Sequence, residues 1–98
     1  MMGVLFVISE FQDSPTAFKI AERMARRGQK VSILFTREAC RHLTDPKLTN
    51  SIAFAGVHCL GSDLYQIERE KLVGGVRLVD YSGWVELVEA NEKIISWS

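Results

Sequence analysis

Two cysteines, Cys40 and Cys59, and two histidines, His42 and His58, are the side chains of this 98-residue chain whose types could carry nucleophilic or metal chemistry. Cys59 is the best placed. It stands near the end of the apolar run Val57-His58-Cys59-Leu60, directly before Gly61-Ser62-Asp63, which reads as a helix start. A helix N-terminus carries unpaired N–H groups and about half a positive charge, so a thiolate beside it is stabilised and becomes a candidate nucleophile. The competing reading is a buried small hydrophobe, since cysteine is among the most buried residue types. Asp63 would oppose a thiolate if its charge came near the sulfur.

Gly61 bares backbone N–H groups and Ser62 adds a hydroxyl, so the pair could cradle an anion such as a persulfide or a sulfate. An ordinary loop glycine is the plainer alternative. His58 cannot readily act as base for Cys59, because neighbouring strand residues point to opposite faces. Cys40 and His42, two apart, diverge on a helix. A dyad assembled through space stays open. The spacings match no zinc motif, so no metal is expected. Ser9-Glu10-Phe11-Gln12-Asp13 follows the first strand in place of a glycine-rich loop, and there is no nucleophile elbow, so no cofactor is expected either.

The elements that must hold these residues follow from the hydrophobic pattern. Gly3–Ser9, Val31–Phe35, Val57–Leu60, Val76–Val79 and Ile94–Trp97 are continuous apolar runs, as expected for strands buried on both faces of a parallel sheet. Asp13-Ser14-Pro15 opens a helix whose Ala17, Ile20, Ala21, Met24 and Ala25 recur at helical spacing until Gly28. Arg37–Leu43 reads as a short helix, and Asp45-Pro46 opens another carrying Leu48, Ile52 and Phe54. Ser62-Asp63 caps a helix over Leu64–Leu72, and Ser82–Asn91 forms the last one, with Trp84, Val85, Leu87 and Val88 inward.

Alternating strands and helices imply a three-layer α/β/α sandwich around a mainly parallel five-stranded sheet. Such sheets bind ligands at the carboxyl ends of their strands, which here are Ser9-Glu10, Phe35-Thr36, Leu60-Gly61 and Val79-Asp80-Tyr81.

Composition bounds the function. Hydrophobic residues make up 47% and charged residues 24% of the chain, which suits one domain over residues 1–98. Twelve basic and twelve acidic side chains cancel, so the chain has no field with which to grip nucleic acid or a membrane. Arg23, Arg26, Arg27 and Lys30 read as a solvated cap of the first helix. Val4–Ile8 is too short to span a bilayer and lacks signal-peptide flanks, so a cytoplasmic setting with reduced thiols is expected. Trp84 and Trp97 are core residues by default and interface anchors by alternative.

Val57-His58-Cys59-Leu60-Gly61-Ser62-Asp63-Leu64, then Val76-Arg77-Leu78-Val79-Asp80-Tyr81-Ser82-Gly83-Trp84-Val85-Glu86-Leu87-Val88, and the closing Lys93-Ile94-Ile95-Ser96-Trp97 resemble the DsrH/TusB family of the DsrE/DsrF/DsrH superfamily. Residues 57–97 carry the resemblance; the first half follows only the general superfamily pattern. The resemblance implies a DsrE/F/H-like fold and a subunit of a cytoplasmic sulfur relay that passes persulfide sulfur, for tRNA wobble-uridine thiolation or dissimilatory sulfur metabolism. It also implies oligomers with DsrE/TusD-like and DsrF/TusC-like sister subunits, with tRNA met at most indirectly. Cys59 falls at, or within one residue of, the place of the sulfur-accepting cysteine of DsrE/TusD subunits. The cysteine that DsrH proteins of sulfur oxidisers carry in the first helical region has no counterpart between Asp13 and Gly28. Two other classes of role fit the sequence: a non-catalytic assembly subunit with packing thiols, and a free-standing homo-oligomer that binds a small anion or senses redox state.

Overall fold

The computed structural model describes residues 3–12, 14–64 and 75–97. Strands β1 (Gly3–Ile8), β2 (Lys30–Phe35), β3 (Gly56–Leu60), β4 (Arg77–Val79) and β5 (Lys93–Trp97) form one sheet in the order β4-β3-β2-β1-β5. Every pairing is parallel, so the sheet is more uniform than the mainly parallel one expected. The apolar runs set the strands to within one residue. Interior strand β1 is buried along its whole length, whereas the edge strands β4 and β5 are largely exposed or half-buried.

Among the described residues, three helices and two 3-10 segments connect the strands. Helix α1 (Ser14–Arg26) ends where Gly28 adopts φ +87°. Gly28 N–H bonds to the Ala25 carbonyl and Gln29 N–H to the Met24 carbonyl, the paired bonds of a Schellman cap. Arg37–Thr44 is a 3-10 helix where a short helix was expected. Helix α2 (Pro46–Ser51) is capped by Asp45, whose carboxylate accepts from Lys47 N–H at 3.0 Å. Ile52, just past it, is buried, while Phe54 lies outside the helix and 37% exposed. A 3-10 turn, Gly61–Leu64, follows β3. The body of the helix expected over Leu64–Leu72 lies outside the described residues.

Helix α3 (Tyr81–Ala90) starts at Asp80, whose carboxylate accepts from Gly83 N–H at 2.8 Å. Gly83 is required here because an added Cβ would stand 2.9 Å from Val79 Cβ.

The chain steps from β1 through β2 and β3 to β4 in one direction, then returns across the sheet to place β5 beside β1. Right-handed crossovers put the return helix on the opposite face, and the packing agrees. Ala17, Phe18 and Ala21 of α1, with Ala39, Cys40, Leu43 and Ile52, cluster on Val4, Phe6, Ile8, Val31, Ile33, Phe35 and Cys59. Trp84 and Leu87 of α3 pack on Leu5, Val7 and Leu34. Val85 and Val88 were expected to face inward too, yet they are 55% and 41% exposed. Residues 84 and 87 share one helical stripe and 85 and 88 the next, about 100° around the helix, and a single sheet can bury only one of them.

Candidate functional site

Cys59 is the fourth residue of β3 and points to the α1 side of the sheet, paired in register with Phe35. Cys40 lies on the 3-10 helix that follows β2. Because β2 and β3 are adjacent and parallel, the segment leaving β2 folds back over the end of β3. The two sulfurs meet 3.2 Å apart without a disulfide. Cys40 Sγ also donates to the Phe35 carbonyl at 3.6 Å, and Cys59 Sγ to the Leu60 carbonyl at 3.7 Å. Both residues are 0% exposed. The sequence did not foretell this pairing, since nineteen residues separate the cysteines and only the strand order brings them together.

The pair sits at the carboxyl end of β3, between its neighbours β2 and β4. The 3-10 turn after β3 contacts the Arg37–Thr44 helix on the α1 side, while β4 leads into α3 on the other side. The strand order changes direction between β1 and β5, so the crevice typical of open parallel sheets lies beside Ser9 and Trp97, across β2 and β1 from Cys59. Gly61 stands just past the end of β3, half-buried, with space for a Cβ at 3.7 Å from the Val79 carbonyl. Nothing in the space around it demands glycine. Ser62 beside it is exposed.

His42 diverges from Cys40 as the two-residue spacing implies. Its Nε2 meets Ser14 Oγ at 2.5 Å and the Phe11 carbonyl at 3.0 Å, and Ser14 Oγ donates to the same carbonyl at 2.7 Å. A carbonyl only accepts, so this network assigns the proton to Nε2 and denies it the lone pair a general base for Ser14 needs. Burial holds His42 below the ordinary histidine value of 6.5, against the raising pull of the Phe11 carbonyl and Asp45. Its ring stacks on Phe11 with centroids 4.2 Å apart, and the Arg41 guanidinium lies over Phe11 at 4.7 Å. The group ties the loop before α1 to the 3-10 helix that carries Cys40.

Two hydroxyls at the strand tips complete the rim. Ser9 Oγ and Thr36 Oγ1 are 2.7 Å apart, and Thr36 is 3% exposed. The sequence placed both at the carboxyl edge but gave no sign that they bond. His58 is on the opposite face from Cys59, as strand alternation requires. Its Nδ1 is buried without a hydrogen-bond partner, and burial, with Arg77 nearby, lowers its proton affinity. Among the described residues no three His, Cys, Asp or Glu side chains converge as a metal site.

Trp97 is half-buried against the α1-side cluster, and Trp84 is half-buried under α3. The outward stripe of α3 lines a shallow groove of about 310 Å³ formed by Tyr81, Trp84, Val85, Val88 and Glu89.

No protein-family model and no curated protein sequence matches the chain. Among solved structures, the crystal structure of the ychN protein from E. coli superposes with a TM-score of 0.83, covering 99% of this chain and 100% of that one at 8% identity. At that identity the likeness is one of fold. The chain has a DsrE-like fold, and among the described residues no helix is long and apolar enough to cross a membrane.

Proposed function

We propose that the protein is a subunit of a sulfur relay in which Cys59 accepts a persulfide sulfur. The observation that supports this most is the meeting of the chain's two cysteines, 3.2 Å apart, at the carboxyl end of β3 in a DsrE-like sheet. The DsrH/TusB-like sequence over residues 57–97 points to the same chemistry.

In the proposed step, the Cys59 thiolate attacks the outer sulfur of a donor persulfide. A new S–S bond forms on Cys59, the donor's S–S bond breaks, and the donor leaves as its thiolate. A partner's thiolate then removes that sulfur in the same way. Gly61 and Ser62, just beyond Cys59, flank the route by which donor and acceptor reach it. Because the sulfur is buried, transfer requires local opening around the 3-10 helix of Cys40. DsrE/TusD-like and DsrF/TusC-like subunits are the proposed partners, with Trp84 and Trp97 at the docking faces and tRNA contacted only through the assembly.

Incubation with polysulfide, quenching by an alkylating reagent under denaturing conditions and mass spectrometry should show one added sulfur at Cys59. Cys59→Ser should abolish the gain and Cys40→Ser should retain it. Gain at Cys40 alone, or no gain at Cys59 in the Cys40→Ser variant, sinks the catalytic reading.

The complete burial of both thiols, together with the exposed stripe Tyr81, Val85 and Val88 on the opposite face, favours a second reading. In that reading the chain is an assembly subunit whose thiols only pack, and Cys59→Ser leaves relay activity of the complex intact.

A further inference from the structure

Two thiols at 3.2 Å are closer than packing alone requires, and neither faces water. Bringing that separation to the roughly 2.05 Å of a disulfide takes about 1.1 Å of combined sulfur movement. Cys40 belongs to a 3-10 helix, whose hydrogen bonds are weaker than those of an α-helix, so its side of the pair can supply the shift. Cys59 is held by a paired strand and moves less.

We propose that Cys40 and Cys59 form a reversible intramolecular disulfide, so that the pair is a two-electron redox site whose substrate class is small disulfides. With glutathione disulfide as oxidant, the Cys59 and Cys40 thiols lose two protons and two electrons and gain an S–S bond. The oxidant's S–S bond breaks to give two glutathione thiols. A small dithiol reverses the reaction.

The bond links the 3-10 helix after β2 to the end of β3, closing a loop of about twenty residues. It forms within the native packing, so it should favour the folded state over the unfolded one. Where Cys59 serves a relay, closure withdraws its thiol. The site itself stands on the sulfur geometry and not on sulfur transfer.

Equilibration of the whole protein in glutathione redox buffers tests this, because an equilibrium position does not depend on how quickly a buried sulfur is reached. After acid quenching and alkylation, the native chain should contain a peptide pair linked through Cys40 and Cys59. Its ratio of disulfide to dithiol at fixed buffer should exceed that of the urea-unfolded chain by at least about tenfold. A native ratio equal to or below the unfolded one overturns the proposal, as does a mixed glutathione disulfide in place of the internal bond. Failure of polysulfide loading on the Cys40→Ser variant, which cannot close the bond, while the native chain does form it in the redox buffers, would remove the relay reading alone.

Discussion

At the scale of single residues, the histidines make stability depend on pH in a definable sense. His42 and His58 both bind protons less readily when folded than their ordinary value of 6.5, chiefly because of burial. The unfolded chain therefore takes up more protons as pH falls through 6.5, and native stability declines from there until the lowered folded values are passed. Urea unfolding across this interval should show the decline, and His58→Gln should flatten part of it. A slope of opposite sign would contradict the burial argument. Ser14→Ala removes a fully buried hydroxyl that bonds the Phe11 carbonyl and faces His42 Nε2. It should cost about 1–2 kcal/mol in the same measurement. None of these contacts could be read from sequence, because Phe11, Ser14 and His42 meet only after α1 and the 3-10 helix have packed on the same side of the sheet. Cys59, by contrast, was legible as a strand residue at a carboxyl edge, since its neighbours Val57 and Leu60 declare the strand and Gly61 its end.

At the scale of elements, capping chemistry predicts where each helix is vulnerable. Asp80→Ala leaves the Gly83 N–H without its carboxylate and should destabilise by about 1 kcal/mol. Gly28→Ala forces a side chain into φ +87° and should cost about as much, although nothing crowds the site. If Gly28→Ala is neutral in urea unfolding, the Schellman geometry is not what ends α1. The strands and α1 were legible because long apolar runs and a clear N-cap admit one assignment. Helix α3 was legible in place but not in rotation. Trp84, Val85, Leu87 and Val88 are apolar on two adjacent stripes, and pattern alone cannot say which of them the sheet takes. Arg37–Thr44 was legible as helical, but its 3-10 form depends on seating Ala39, Cys40 and Leu43 in the core within eight residues.

At the scale of the whole molecule, the described residues dress the two faces of the sheet unequally. One carries α1, the 3-10 helix and α2; the other carries α3, whose outer stripe is apolar. Val85→Glu, at a side chain 55% exposed, should change the stability of the isolated chain by no more than about 0.5 kcal/mol. It should weaken co-elution with sister subunits in size-exclusion chromatography if α3 is the docking face. Undiminished co-elution would move the interface elsewhere, Trp97 and the β5 edge being the next place to test.

The pairing of β5 with β1 joins Val4 to Lys93 and Ile8 to Trp97, nearly the whole chain apart. On the ribosome, β2 reaches one side of β1 early, while its other side waits for the last strand to emerge. Through that interval β1, buried along its whole length in the folded protein, has an open edge, the condition under which nascent chains recruit chaperones or pair with one another. The strand order that gathers the cysteines thus also makes biosynthesis the moment of greatest hazard for this fold.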